Sequence, residues 1–255
     1  MCSVSLNVGC LSVAIALIAT ASATAQPSEP SAESSRVTIS VSGAQQAARS
    51  SFSQISTLRV NQEDGSVEVG YVRQNSPLWD VGVGVKVQDR LWVTVAVSSL
   101  SKKSDALVSA EIPHPLFFGQ QRAVDGTVSG VTHRETAVHV DAAWGLPVEG
   151  KLSVQVFGGP TFFSVAQDVV SDVTYSEAYP FDTALFTGAS TTRGKKSTVG
   201  FNAGADVTLF LTSRVGVGGQ VRFSRGTAKV GTPLGGSVSM GVGGLEVGGG
   251  LRLRF

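Results

Sequence analysis

Apolar and polar residues alternate along most of this chain, and this two-residue period constrains its fold more than any other feature. The alternation is clearest at residues 81–88, 138–144 and 199–211. Because successive side chains of a β-strand point to opposite faces, each run predicts a strand with one apolar face and one polar face. After the N-terminal region, no stretch approaches the ~18 consecutive apolar residues that a transmembrane helix needs. The sequence therefore predicts an all-β fold.

The connections between these runs alternate in length, which indicates how the strands are arranged. Short connections at residues 88–90, 146–151 and 212–214 alternate with long ones at about 99–131, 166–197 and 225–236. Barrels in bacterial outer membranes have tight periplasmic turns and long external loops. The pattern predicts a transmembrane antiparallel up-and-down β-barrel of about eight to ten strands. About ten strands are favoured, because Asp64-Gly65 between alternating runs is a typical hairpin turn. An irregular segment before Val67 would instead give about eight strands.

The N-terminal segment has the pattern of a secretory signal. An apolar run at residues 11–21 is followed by Ala23 and Ala25, small residues that suit signal peptidase. We expect a cleaved signal peptide at residues 1–25, although no lysine or arginine precedes the apolar run, and a membrane anchor is the alternative. Residues 26–35 are rich in proline, serine and glutamate and are expected to form a disordered periplasmic leader. Residues 36–255 then form the barrel domain.

Strand parity predicts which side chains face lipid and which face the lumen. In a bilayer the apolar set has to face outward, so the polar set faces the barrel interior. Acids and bases are mixed in this inward set, and we expect them to pair into a network that fills a narrow lumen. A narrow polar pore lined by the same residues is the alternative. The predicted lumen network consists of Glu68, Asp80, Lys86, Glu135, His139, Asp141, Asp206, Arg222, Glu246, Arg252 and Arg254.

One face of a single predicted strand carries four potential metal ligands. These are His133, Glu135, His139 and Asp141, whereas the third histidine, His114, lies in a distant loop. Metal sites normally converge from several elements and have partners that orient the ligands. We therefore expect lumen packing rather than a metal site.

Enzymatic activity and nucleic-acid binding have little support in the sequence. The formal net charge is +1, which gives no indication of a nucleic-acid partner. No Gly-x-Ser-x-Gly nucleophile motif occurs in a strand-turn-helix context, and nothing distinguishes Asp125, His133 and Glu135 from loop residues. We expect no enzyme, no cofactor and no nucleic-acid partner, with a hydrolase embedded in the barrel as a distant alternative.

The last strand carries a pattern that resembles the β-signal read by the barrel assembly machinery. Gly250, Leu253 and Phe255 occupy the positions of that signal at spacings of three and two, while Gly248 stands where a polar residue is usual. The resemblance implies that these residues form the assembly signal and that the assembly machinery is a partner during biogenesis.

Residues 36–255 also resemble the broad family of small outer-membrane β-barrel proteins, which includes the OmpA-like and OmpW-like barrels. The resemblance implies a Gram-negative outer membrane with both termini in the periplasm, and it transfers no functional residue. Its members include membrane-stabilising, adhesive and solute-conducting proteins. We expect a monomer with a structural or surface-interaction role, and a narrow passive channel for small solutes is the alternative.

A small basic cluster at residues 193–196 lies near the expected edge of the membrane. Outer-membrane lipid is an expected partner of the barrel. The cluster suggests contact with the anionic phosphates of lipopolysaccharide, although such a run of charge is also common on solvated surfaces.

Overall fold

The strands of this chain belong to one antiparallel system. The computed structural model describes residues 36–47, 51–72, 75–148, 150–231 and 237–255. The predicted signal peptide and leader lie outside these ranges. In the described ranges no helix is long and apolar enough to cross a membrane. The strands are β1 (Val37–Gln46), β2 (Phe52–Val60), β3 (Glu63–Tyr71), β4 (Ser76–Gln88), β5 (Leu91–Pro113), β6 (Gln121–Gly145), β7 (Leu152–Glu177), β8 (Ala184–Phe210), β9 (Val215–Gly231), β10 (Ser237–Val242) and β11 (Leu245–Arg254).

Eight of these strands close into a ring. Starting from β1, the order around the ring is β4, β5, β6, β7, β8, β9 and β11, and β11 pairs with β1 again. The closing ladder extends from the pair Thr38–Arg254 to the pair Gln46–Glu246. Closure satisfies the backbone of every ring strand without leaving a free edge. The prediction of an all-β antiparallel barrel is confirmed, with eight strands in the ring.

The favoured count of ten strands is wrong, because the β2–β3 hairpin does not enter the ring. β2 pairs with β3, and β3 pairs with residues 106–111 of β5. The hairpin turns at Asn61 and Gln62, whose φ angles are 53° and 67°. Asp64 and Gly65 lie inside β3 instead. A Cβ on Gly65 would lie 2.5 Å from the Glu111 carbonyl oxygen, so this glycine permits close strand approach rather than a turn.

The long connections predicted as loops consist mostly of strand. β5 continues to Pro113 and β6 begins at Gln121, while β7 continues to Glu177 and β8 begins at Ala184. These hairpins project beyond the ring at the end opposite the short turns. Together with β2, β3 and β10 they form a second tier, which we call the extension. The segments predicted as loops contain many charged residues, as loops usually do. They nevertheless form strands, because pairing with neighbouring strands decides the conformation of such segments.

The outer face of the ring is apolar. Trp79 and Val81 on β4 are 53% and 38% exposed, whereas Asp80 between them is 1% exposed. An apolar surface that extends around a barrel is the surface that lipid requires. The exposed apolar side chains of the ring include Val41, Trp79, Val85, Val93, Val95, Trp144, Val156, Phe162, Val199, Phe201, Val207, Leu209, Val217, Val221, Val247 and Leu251.

The extension has the opposite distribution, with an apolar interior. In β3, Val67 and Val69 are buried, and Glu68 between them is exposed. The prediction that Glu68 belongs to the lumen network is therefore wrong. In the extension the outward face is mostly polar, with Ile55 and Leu107 as exposed exceptions, and most apolar side chains are buried inside as in a water-soluble protein. The buried cluster comprises Val67, Val69, Tyr71, Ala106, Val108, Ala110, Ile112, Val124, Val131, Val170 and Ala184.

Candidate functional site

The interior of the ring is crossed by a layer of buried polar side chains, which we call the lumen layer. Each ring strand contributes one of them, because inward parity brings every second residue to the interior. All eight side chains are at most 5% exposed. The lumen layer consists of Ser42, Asp80, Ser98, His139, Thr161, Asn202, Arg222 and Glu246.

Arg222 is the cation at the centre of the lumen layer. Its Nη1 donates a hydrogen bond to Asp80 Oδ2 at 2.7 Å and lies 3.8 Å from Glu246 Oε2. Its guanidinium lies over the Phe157 ring, 5.3 Å from the ring centroid. A buried charge is tolerated only when it is paired and hydrogen-bonded, so this pair holds β4, β9 and β11 in fixed relation.

The other side of the lumen layer is a chain of hydrogen bonds. The two ring nitrogens of His139 lie 3.1 Å from Ser98 Oγ and 2.9 Å from Thr161 Oγ1. Asn202 Nδ2 donates to Thr161 Oγ1 at 3.0 Å and to Asp141 Oδ1 at 2.7 Å. The chain connects four consecutive ring strands, β5 to β8, across the interior. Sequence reasoning left Ser98 and Thr161 out of the network, although their inward parity is a signal that marks them.

Below the lumen layer, toward the short turns, Arg252 is buried, whereas Asp206, Lys86 and Arg254 are half-buried. Arg252 donates to Asp206 Oδ2 through Nε at 3.1 Å and to Ser42 Oγ through Nη1 at 2.7 Å. Arg254 lies over the Phe210 ring at 3.7 Å from its centroid. Lys86 faces the same space and is half-buried. These residues form a lower group that contacts the lumen layer through Arg252.

Above the lumen layer lies Glu135, followed by an apolar cluster. Glu135 Oε1 accepts a hydrogen bond from the Gly243 backbone N–H at 2.9 Å, and its other oxygen lies 3.6 Å from His133 Nε2. His133 Nδ1 lies 2.8 Å from Gln167 Oε1. The interior is therefore filled at two levels, first by the polar lumen layer and then by this apolar cluster. The apolar cluster consists of Ala137, Phe163, Val165, Ala228, Val230, Met240 and Val242.

The β7–β8 hairpin is bound to the inner side of β2 and β3. The register of β6 with β7 ends at Gln167, and beyond it β7 approaches the opposite hairpin. The Val170 backbone N–H donates to Tyr71 Oη at 2.8 Å, and Gln54 Nε2 donates to the Val170 carbonyl at 3.3 Å. Tyr71 O–H in turn donates to Gln54 Oε1 at 3.1 Å. These buried bonds fasten the hairpin across the interior of the extension.

The tips of two hairpins are joined by Arg122. Its guanidinium donates to Glu177 Oε2 at 2.6 Å and to the carbonyl oxygens of Phe181 and Pro113 at 3.0 and 3.1 Å. Phe118 and Tyr179 on the joined tips are both 81% exposed. The extension therefore carries these aromatic side chains on hairpin tips that are hydrogen-bonded to each other rather than on free loops.

The residues considered for metal binding or catalysis do not assemble into such a site. Asp125 faces outward and accepts a hydrogen bond from Ser109 Oγ at 2.7 Å, whereas His133 and Glu135 face inward. Among the described residues, no three His, Cys, Asp or Glu side chains are grouped so that they could hold a metal ion. His139 and Asp141 take part in the hydrogen-bonded chain of the lumen.

Comparison with known proteins gives structural similarity without sequence similarity. No protein family matches the sequence, and no curated protein matches it either. The outer membrane protein OprG from Pseudomonas aeruginosa has 8% identity and a TM-score of 0.48 over 88% of this chain and 97% of that one. Neisserial surface protein A has 11% identity and a TM-score of 0.44 over 86% and 97%. The outer membrane protease OmpT from Escherichia coli has 8% identity and a TM-score of 0.46 over 86% and 97%.

Proposed function

We propose that this chain is an outer-membrane β-barrel with a structural or surface-interaction role and a lumen that does not conduct. The lumen layer is the observation that carries the proposal. Every ring strand contributes an inward side chain that is at most 5% exposed, which supports a lumen closed to water at this level. The apolar outer face of the ring supports a membrane location. In the proposed orientation the short turns and both termini lie on the periplasmic side.

Reconstitution into planar bilayers tests the closed lumen. Folded protein, identified by its shifted mobility without heating, is expected to give no stepwise current over a wide range of voltage. Stepwise conductance in the unmodified protein would contradict the proposal and favour the narrow channel. A double variant, Arg222→Ala with His139→Ala, removes two large side chains of the lumen layer and is expected to raise the conductance.

The extension supports the surface-interaction part of the proposal. Phe118 and Tyr179 are exposed on tips that Arg122 holds together. Exposed aromatic side chains on a rigid framework are typical of binding surfaces because little side-chain entropy is lost on contact. Replacing both by serine is expected to reduce attachment of barrel-bearing vesicles to cell surfaces. Unchanged attachment would leave only the structural role.

Outward cations just above the apolar band support lipopolysaccharide as a partner. Ala166 pairs with Arg134 on one side and with Lys195 on the other, which places two exposed cations at one level, ~10 Å apart. Neither has an acidic partner among the described residues. Arg193 nearby is instead bound by Asp168, at 2.8 Å. We propose that Arg134 and Lys195 contact the phosphates of lipopolysaccharide.

Binding to lipopolysaccharide aggregates tests this contact. The double variant Arg134→Gln with Lys195→Gln is expected to bind them more weakly, and more so at low salt, because exposed charges are screened by salt. The matched control is Arg90→Gln with Lys151→Gln, which removes two exposed cations near the short turns. Equal binding by the two double variants would contradict the proposed contact.

A further inference from the structure

A cavity lies inside the ring between the lumen layer and the short turns. Its volume is about 130 Å³, close to the ~150 Å³ of a cavity known to hold benzene. All eight ring strands contribute to its wall. Inward side chains are half-buried near the turns, as at Lys86 and Arg254, and fully buried at the other end, as at Asp141 and Arg222. We call this space, open toward the short turns and closed at the lumen layer, the lower cup.

The open half of the lower cup is positively charged. Lys86 and Arg254 line it, and neither has an acidic partner among the described residues. They lie at the same end of the ring on strands that both pair with β1, since Thr38 pairs with both Arg254 and Gly84, and Lys86 is two residues beyond Gly84 on β4. The other cations of the cup are already neutralised, Arg252 by Asp206 and Arg222 by Asp80. The unneutralised pair therefore favours an anion.

Two buried donors at the closed half have no acceptor. Gln220 Nε2 and Arg222 Nε belong to residues that line the cup, and neither atom has a hydrogen-bond partner within the part of the chain that the structure describes. Gln220 is only 5% exposed. A buried donor without an acceptor is destabilising, so a ligand with acceptor oxygens would be stabilised here.

Three aromatic side chains supply apolar surface to a wall whose remaining side chains are mostly polar and include the Asp141 carboxylate. Trp92, Phe157 and Phe210 line the cup from β5, β7 and β8. Small-molecule sites typically combine aromatic walls with a few polar groups that fix orientation. The lower cup has both, with unpaired positive charge at its opening and unpaired donors at its floor.

We propose that the lower cup binds a small organic anion, an aromatic carboxylate of about one ring in size. The ring packs against Trp92, Phe157 and Phe210. The carboxylate lies at the opening in the field of Lys86 and Arg254, and an acceptor substituent at the opposite end of the ring accepts a hydrogen bond from Gln220 Nε2. The site goes beyond the proposed function, because binding in a cup closed at the lumen layer does not require transport.

Fluorescence of Trp92 gives a direct test. The chain has three tryptophans, and Trp79 and Trp144 are exposed on the outer face of the ring at 53% and 49%. A Trp79→Phe, Trp144→Phe background therefore leaves Trp92 as the reporter in detergent micelles. Titration with 4-nitrobenzoate is expected to give saturable quenching. The isosteric neutral 4-nitrobenzyl alcohol is expected to bind at least about tenfold more weakly, the factor that ~1.4 kcal/mol represents.

Charge variants in the same background separate a built site from partition into the detergent. Lys86→Gln and Arg254→Gln are each expected to weaken 4-nitrobenzoate binding severalfold, whereas Lys103→Gln, on the outer face of β5, leaves it unchanged. Folding of every variant is checked by its mobility without heating. Linear quenching without saturation, equal affinity for the acid and the alcohol, or unchanged affinity in folded Lys86→Gln would overturn the proposal.

Discussion

At the scale of the residue, a few buried charges in the lumen are neutralised by neighbouring side chains, and these pairs stabilise the ring. Arg222 is hydrogen-bonded to Asp80 at 2.7 Å, and both side chains are nearly inaccessible to water. Breaking a buried ion pair by removing one partner is costly, because the remaining charge stays buried without compensation. The stability of the ring should therefore depend more on these side chains than on the many exposed charges of the extension.

Replacement of Arg222 tests this dependence. Arg222→Gln leaves the Asp80 carboxylate buried and unpaired, so the free energy of unfolding is expected to fall by about 3–5 kcal/mol. Urea unfolding in lipid vesicles, followed by tryptophan fluorescence, measures the change. Arg225→Gln on the same strand is the matched control, since Arg225 is exposed and such surface changes stay within about 0.5 kcal/mol. Equal stability of the two variants would show that the pair is not required.

A second prediction at the scale of the residue concerns the apolar outer face of the ring. Val207 lies on the apolar face of β8 and is 45% exposed. Arginine at this position is expected to destabilise the barrel by about 2–4 kcal/mol if the position lies near the middle of the bilayer. Ser197→Arg serves as the control, because Ser197 is exposed on the same strand at the level of the outward cations. A similar loss for both variants would contradict the proposed position of the membrane.

At the scale of the element, the β7–β8 hairpin has a position that the periodicity of the sequence does not indicate. Tyr71, Gln54 and the Val170 backbone form a closed set of three buried hydrogen bonds between β7 and the β2–β3 hairpin. Burial raises the pKa of the Tyr71 hydroxyl, so it stays protonated and able to donate at neutral pH. The hairpin should therefore behave as a cooperative unit with these bonds as its fastening.

Tyr71→Phe tests the fastening. The change removes only the hydroxyl and leaves the Val170 N–H buried without an acceptor, at a cost of about 1–3 kcal/mol. Hydrogen exchange of residues 168–193 is expected to become faster, while exchange in β1 and β11 stays unchanged. Tyr179→Phe is the control, because the Tyr179 side chain is exposed at the tip. Unchanged exchange in Tyr71→Phe would mean that apolar packing alone holds the hairpin.

Asp168 makes the stability of the β7–β8 hairpin depend on pH. Its carboxylate accepts hydrogen bonds from Arg193 and from the Thr132 backbone N–H, where the paired part of β6 and β7 ends. These bonds, the one from Arg193 foremost, lower the pKa of Asp168. A lowered pKa contributes stability above the unfolded pKa of about 3.9, and this contribution is lost as pH falls through the lower folded value.

Hydrogen exchange at two pH values measures this contribution. After correction for the intrinsic exchange rate, residues 168–193 are expected to open more readily near pH 3 than near pH 6 in the unmodified protein. Asp168→Asn is expected to open readily at both values and to lose this difference. A difference of the same size in Asp168→Asn would assign the effect to other groups.

At the scale of the whole molecule, the barrel consists of two tiers with opposite distributions of polarity. The ring is apolar outside and polar inside, and the extension is polar outside and apolar inside. Strands β5 to β9 pass through both tiers, so a single strand changes its apolar face along its length. In the proposed membrane location, this change marks the level at which the surroundings of the barrel change from lipid to water.

Assembly of the whole barrel provides a further prediction. If Gly250, Leu253 and Phe255 form the assembly signal, Phe255→Asp is expected to lower the amount of folded, heat-modifiable protein in the outer membrane several-fold. Phe118→Asp introduces the same charge at an exposed tip and is expected to leave that amount unchanged. Normal levels of folded Phe255→Asp would exclude an essential role for the terminal aromatic residue.

The sequence by itself determined the strand class and the two faces of each ring strand, because alternation is a local property of the extended backbone. Residues 81–88 and 199–211 therefore carry enough information to assign strands without knowledge of their neighbours. The same information indicates a barrel, since so many amphipathic strands with short turns have to satisfy their backbone groups by pairing.

Tertiary structure alone decided which strands close the ring and which face is buried beyond it. Glu68 and Asp80 both lie in alternating segments, yet Glu68 is exposed and Asp80 is buried. Periodicity separates two faces of a strand but does not say whether lipid, water or protein lies against either one. That depends on non-local pairing, such as β3 with β5 in place of the ring, and on the β7–β8 hairpin packed against Tyr71.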